Sequence, residues 1–179
     1  MKKLLTLTEF GNPILRHRAK SVPLSYLKTK EFKELEQQMI HTMRKAQGVG
    51  LAAPQVGVPL RIAVMEMRKT PTRPDIEHKG PITIINPVIK KFGAKTEKGW
   101  EGCLSLEHVR GEVGRSASVA VEYINSDGTK VVEHASGLWA RIFQHEIDHL
   151  DGVVYVDRMH DMKTLMTVGE FKRRVLKSK

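Results

Sequence analysis

The sequence predicts an α+β fold, with antiparallel β-sheets packed around a central histidine-bearing helix and further helices near both ends. Three observations carry that expectation. In residues 29–47, Phe32, Leu35, Met39, Met43 and Ala46 recur at steps of three or four, which lays one apolar face along a helix. Residues 117–124 and 129–134 flank Asn125-Ser126-Asp127-Gly128, a tight turn that closes a β-hairpin. Strand-like segments therefore cluster mid-chain and helical ones lie outside them, which is the segregated pattern of an α+β domain.

Each element follows from its residues. Asn12-Pro13 opens a short helix over residues 12–19, with Asn as N-cap and Pro in the first turn. Residues 21–28 connect it, through Pro23, to the helix at 29–47. Lys33, Glu34, Glu36 and Gln37 fall on that helix's other face, and Gly48 stops it. Its methionines are core residues. Residues 48–55, Gly48-Val49-Gly50-Leu51-Ala52-Ala53-Pro54-Gln55, hold two glycines and a proline and no charge. They read as irregular but packed backbone. A strand is expected over 61–67, a surface loop with Pro71 and Pro74 over 68–80, and a short buried strand over 82–85. Ser136 is placed to cap a helix, Gly137–Leu150, which Asp151-Gly152 ends. A brief strand over 153–156 and a helical tail from residue 161, basic through Lys172, Arg173, Arg174, Lys177 and Lys179, complete the chain.

Composition narrows the class. A chain of 179 residues suits a single catalytic domain with its own core. It has 40% hydrophobic and 28% charged residues, ordinary for a globular protein, and no apolar run approaches the ~18 residues needed to span a membrane. The opening Met1-Lys2-Lys3-Leu4-Leu5 is broken by Thr6, Thr8 and Glu9, so it is read as mature sequence rather than a signal peptide. Cys103 is the only cysteine, which precludes an internal disulfide and suits a reducing, cytoplasmic setting. The net charge of +10 attracts polyanions. Aromatic residues are only 6% and form no stacking run, which argues against a dedicated nucleic-acid reader but leaves work beside a ribosome open.

The chemistry centres on His145-Glu146-Ile147-Asp148-His149. Histidines at i and i+4 share one helix face and can reach one metal ion. Glu146 beside them can take a proton from a metal-bound water. Leu138, Ile142, His145 and His149 lie on one side of the helix, Trp139, Phe143, Ile147 and Leu150 on an adjoining stripe, and Arg141, Gln144 and Asp148 opposite. So wide an apolar surface predicts a largely buried helix, where unpaired histidines are costly and a metal removes the cost. A catalytic ion needs a third protein ligand and an open position. Cys103, in Glu101-Gly102-Cys103-Leu104-Ser105, is of a type that Zn²⁺ and Fe²⁺ accept.

Three blocks thus stand in order: G-V-G-L-A-A-P-Q, E-G-C-L-S and Q-H-E-I-D-H-L. Together they closely resemble peptide deformylase, and N-P-I-L-R-H-R-A extends the resemblance over nearly the whole chain. The resemblance implies a deformylase-like fold around a metal-binding helix and removal of the formyl group from N-formylmethionyl nascent peptides. It implies Cys103, His145 and His149 as metal ligands, Glu146 as general base, and Gln55 with the backbone N–H of Leu104 as oxyanion donors. Val49 and Gly50 bind the substrate backbone, Val49, Leu138 and Ile142 line the methionine pocket, and Glu101 and Arg110 pair near it. The implied cofactor is one divalent ion per chain, Fe²⁺ first, with Zn²⁺, Ni²⁺ or Co²⁺ as substitutes. A basic C-terminal helix docks some members on the ribosome.

The chain departs from the family where Leu106-Glu107-His108 follows Ser105, at Gly114, and at Trp139 and Arg141, where many members carry aliphatic residues. Two other readings compete. A generic His-Glu-x-x-His metallopeptidase makes no demand on Cys103, and a non-enzymatic ribosome-associated module has no use for Glu146.

Overall fold

The computed structural model describes residues 3–69 and 76–176. Among the described residues eight strands form two antiparallel sheets. The larger has the order β1-β2-β3-β6-β7, from Gly50–Ala52 (β1), Ile62–Met67 (β2), Lys79–Phe92 (β3), Ser118–Ile124 (β6) and Lys130–Ser136 (β7). The smaller joins Thr96–Cys103 (β4), Leu106–Ser116 (β5) and Met166–Thr167 (β8). Helix α1, Lys30–Lys45, packs on β1 and β2, and α2, Gly137–Leu150, lies against β1, β2, β6 and β7 and also touches β5. The antiparallel sheets around a central helix are those expected.

Helix α2 is buried on nearly every side, Leu150 and Phe143 completely. Its apolar stripe joins Ala63, Met65, Ile84 and Val121 in the main core. A second core lies under α1, where Phe32, Met39 and Met43 meet Leu51, Ile62 and Val64. Each such side chain stabilises the fold by about 1.5–3 kcal/mol on burial. The packed character expected of residues 48–55 follows from this. Leu51, Ala52 and Ala53 are wholly buried between the two cores, and their backbone forms β1 and a 3₁₀ turn, Ala53–Val56.

Several local expectations are corrected. The helix at 12–19 is a single 3₁₀ turn, Pro13–Arg16, whose Asn12 cap accepts from Ile14 N–H at 3.1 Å. The strand at 82–85 runs on to Phe92. A bulge between Ile85 and Val88 absorbs Asn86, with φ of 51°, and Pro87. The Asn86 amide is held there by Val22, whose N–H and carbonyl both bond it at 2.8 Å. The long β4–β5 hairpin is not announced by the sequence, because its glycines and charges blur the alternation. Residues 153–156 form no strand; the chain turns into a 3₁₀ segment at Tyr155–Arg158. Ser136 precedes α2 without a side-chain cap bond. The tail is mixed: β8, a short helix α3 (Val168–Phe171), then a π-turn, Lys172–Leu176. Met1, Lys2, Pro71, Pro74, Lys177 and Lys179 lie outside the described residues.

An exposed arginine on a buried glutamate tethers α1 to β2. Arg44 Nε and Nη2 donate to the two oxygens of Glu66 at 2.8 and 2.7 Å. These bonds hold the Glu66 carboxyl below its ordinary value of 4.5 against the opposing effect of burial. The unfolded chain therefore binds more protons than the folded one just below pH 4.5. The stability that wild type holds over Glu66→Gln is expected to be constant above about pH 4.5 and to shrink as pH falls through the folded value. Urea midpoints at pH 7, 5, 4 and 3 check this, and a difference independent of pH would refute it.

Candidate metal centre

The ligating atoms of Cys103, His145 and His149 lie within 4.8 Å of one another. Helical spacing brings the two imidazoles together, with ring centroids 4.9 Å apart. The third group arrives by β-structure. The β4–β5 register shifts between Glu101 and Cys103, and this tight turn presents the thiol to α2, where Sγ meets His149 Nε2 at 3.2 Å.

Surrounding groups orient His145 and the Cys103 thiol. His145 Nδ1 donates to Glu101 Oε2 at 2.9 Å, which leaves Nε2 for the centre. Gln55 Oε1 accepts the Ala52 N–H at 2.8 Å, so its amide NH₂ faces the Cys103 sulfur (3.2 Å) and Ser105 Oγ (3.3 Å). Burial opposes ionisation of the Cys103 thiol, but the charge of His149 and hydrogen bonds from both imidazoles outweigh it and hold the thiol well below its usual value. Burial likewise disfavours charge on His145, yet its bonds to Cys103 and Glu101 push it well above the usual range. A thiolate against two imidazoles is a donor set that fits Fe²⁺ or Zn²⁺.

Glu146 is 3% exposed and its Oε2 has no hydrogen-bond partner among the described residues. Burial pushes its carboxyl up to about 7, although His145 and His149 pull the other way. A buried carboxyl with a free oxygen, poised near neutrality, suits proton transfer. It has room only because residue 50 is glycine: a Cβ there would stand 2.1 Å from Glu146 Oε1. Gly50→Ala is expected to displace the carboxylate and lower turnover by about 10²-fold, with metal content unchanged. Steady-state kinetics beside metal analysis check it.

All the site residues named from the sequence except His149 line one cavity of about 580 Å³. His149 lies behind it, 1% exposed. Glu101 and Arg110 do not pair. Glu101 Oε1 accepts Arg115 Nε (3.0 Å) and Arg141 Nη1 (2.7 Å), and Oε2 accepts Arg115 Nη2 (3.0 Å) and His145. Arg110 instead donates to the carbonyls of Val109 (2.7 Å) and Glu107 (3.2 Å) and lies over Gly102. The reason is positional: Arg115 and Arg141 reach the buried side of β4, and two guanidiniums with one imidazole N–H already satisfy the carboxylate.

Arg115 is a site residue that the sequence does not reveal, and Arg141, which the sequence marks only as a departure from the family beside the pocket, is a second. Arg115 also bonds Asp148 (2.5 Å), which Arg158 holds from outside (2.8 Å). The polar side of α2, Arg141, Gln144 and Asp148, thus faces the β4–β5 sheet and not water. An aspartate within so apolar a helix is the one available signal, because a buried charge demands a partner.

A thiolate and two histidines within reach of one ion, with a carboxylate beside them, define a metal-dependent hydrolase. The sequence matches the polypeptide deformylase family over residues 4–165. It is 37% identical to peptide deformylase 2 of a Nostoc species, over 98% of this chain and 97% of that one. It is 41% identical to the peptide deformylase of Thermotoga maritima, over 88% of each. The fold overlays a class I type b peptide deformylase from Acinetobacter baumannii, solved with Met-Ala-Ser bound, with a TM-score of 0.86 at 36% identity, covering 89% of this chain and all of that one. The chain belongs to the polypeptide deformylase family. It is a hydrolase that removes the N-formyl group from nascent peptides. Among the described residues no helix is long and apolar enough to cross a membrane.

Proposed function

We propose that the chain, as one catalytic domain, hydrolyses the formyl group of N-formylmethionine through the residues gathered around Cys103, His145 and His149. The observation that carries this reading is the free, buried Glu146 carboxyl beside those three ligands, at the foot of a cavity bounded by the edge strand β1. The three ligands would hold one divalent ion, Fe²⁺ in the cell, with Zn²⁺, Ni²⁺ or Co²⁺ as substitutes. Such an ion supplies a Lewis acid that lowers the pKa of water from about 15.7 to about 7.

Glu146 takes the proton of the attacking water and returns it to the departing amine as the carbon–nitrogen bond breaks, leaving formate and a free amino terminus. Gln55 Nε2 and the Leu104 N–H stabilise the oxyanion, each by a factor of about 10² to 10³. The Gln55 amide is held ready for this by its bond to Ala52. Val49 and Gly50 pair with the substrate backbone along the open edge of β1, an added-strand mode of recognition. Val49, Leu138 and Ile142 enclose the methionine side chain, and Glu101 supports His145 while Arg110 stands at the rim. The Met-Ala-Ser seated in the Acinetobacter relative supports a methionine-first peptide here. A cytoplasmic setting beside the ribosome, an anionic assembly from which such peptides emerge, suits the net charge of +10 and the basic tail.

Protein loaded with Fe²⁺ or Ni²⁺ is expected to release formate from formyl-Met-Ala-Ser and to leave unformylated peptides intact. Internal cleavage of unformylated peptides would favour the generic metallopeptidase, and no formate from any metal form would overturn the reading.

A further inference from the structure

We infer that Arg141 closes the pocket for the substrate's first side chain and so sets the size of residue accepted there. The inference rests on the placement of the methionine against Leu138 and Ile142 proposed above. Arg141 lies between those two in sequence and one helical turn before His145, and it lines the same cavity. Behind it lies a second cavity of about 250 Å³. The two cavities share three lining residues, Trp100, Leu138 and Arg141. These three form the partition.

Arg141 supplies the bulk of that partition where it passes over Gly99, which lines the second cavity and has no side chain of its own. Its guanidinium lies across Gly99 so closely that a Cβ there would meet Nη2 at 2.9 Å and Cζ at 3.0 Å. Trp100 is held from the other side by Phe171, with ring centroids 5.2 Å apart.

The guanidinium is pinned. Nη1 donates to Glu101 Oε1 at 2.7 Å and to the Val113 carbonyl at 2.9 Å, and Nη2 donates to the Glu97 carbonyl at 2.7 Å. A planar fork engaged by three acceptors on two strands, with its side chain only 15% exposed, does not swing aside to admit a larger group. The carboxylate that anchors it also anchors His145, so the wall is built on the same support as the metal ligand. The first side chain therefore meets a fixed end, and the space behind it stays closed.

Comparing kcat/KM for formyl-Phe-Ala-Ser and formyl-Met-Ala-Ser on Ni²⁺-loaded protein tests this. Arg141→Ala joins the two cavities and is expected to raise the Phe-to-Met ratio by about tenfold or more, the range over which pocket size discriminates. Arg141→Lys keeps the stem but loses the fork, and is expected to raise the ratio by a smaller factor. It decides the matter alone if the alanine variant does not fold. Both substrates are read on one preparation, so altered metal content cancels in the ratio. An unchanged ratio with formyl-Met turnover retained would overturn the role of Arg141, because a merely structural loss lowers both substrates alike. Failure of wild type on formyl-Met-Ala-Ser would instead overturn the proposed function.

Discussion

Cys103→Ala is expected to lose bound metal and formate release together, with metal falling from one ion per chain to near none. The thiol is the only ligand outside α2, and it is the one that opposes charge to the incoming cation. Without it, two imidazoles four residues apart remain, which is too few donors for a catalytic site. The fold is expected to persist, because Cys103 sits in a small cluster with Val113 and Tyr155, flanked by Leu106, Val156 and Met159, and Ala preserves an apolar group there. Metal analysis and formate assay on the same anaerobic preparation, with circular dichroism as the measure of folding, decide it. Full formate release with metal retained would overturn the role of Cys103 as a ligand.

Glu146→Gln is expected to keep the metal and to lower kcat by about 10² to 10⁴, since an amide fills the same space but takes no proton. A second consequence follows from burial. In the metal-free protein the Glu146 carboxyl is pushed up to about 7 from 4.5. The folded state thus binds more protons than the unfolded one between those values, and stability falls as pH rises through that window. Glutamine removes the fall. Metal-free Glu146→Gln is expected to exceed wild type by on the order of 3 kcal/mol at pH 8 and to match it near pH 4. Denaturant midpoints at the two pH values measure this, and equal midpoints at both would show that the buried carboxyl costs nothing. The same charge that costs stability makes Glu146 useful as a base near neutrality.

Local spacing makes the metal site legible in the sequence. His145 and His149 are one helical turn apart in any helix, and the helix itself is signalled by its apolar circumference. Gln55, Leu104 and the β1 backbone are reachable only by resemblance, because nothing in their own residue types marks an oxyanion donor or a substrate-pairing edge. The β4–β5 hairpin is hidden because Gly99, Gly102, Gly111 and Gly114 remove the side chains that would show alternation. Three of those positions are bare for a tertiary reason: Arg141 lies on Gly99, Arg110 on Gly102 and Met159 against Gly111.

The Glu101–Arg110 pair fails for a related cause. Sequence proximity favours Arg110, but strand pairing decides which cations reach a buried carboxylate. Arg115 comes from the facing strand and Arg141 from α2, and neither is predictable without the register and the docking of the helix.

The sequence by itself determined the helices with apolar faces, the central hairpin, the two histidines with their carboxylate, and the thiol able to complete the set. These depend on interactions within a few residues, where backbone periodicity dictates which side chains meet. The tertiary structure alone decided that Cys103 stands 3.2 Å from His149, that Glu101 is shared by two arginines and a metal ligand, and that Arg141 walls the pocket. Those contacts join segments from 14 to 46 residues apart, and their geometry exists only once two sheets and a helix have packed.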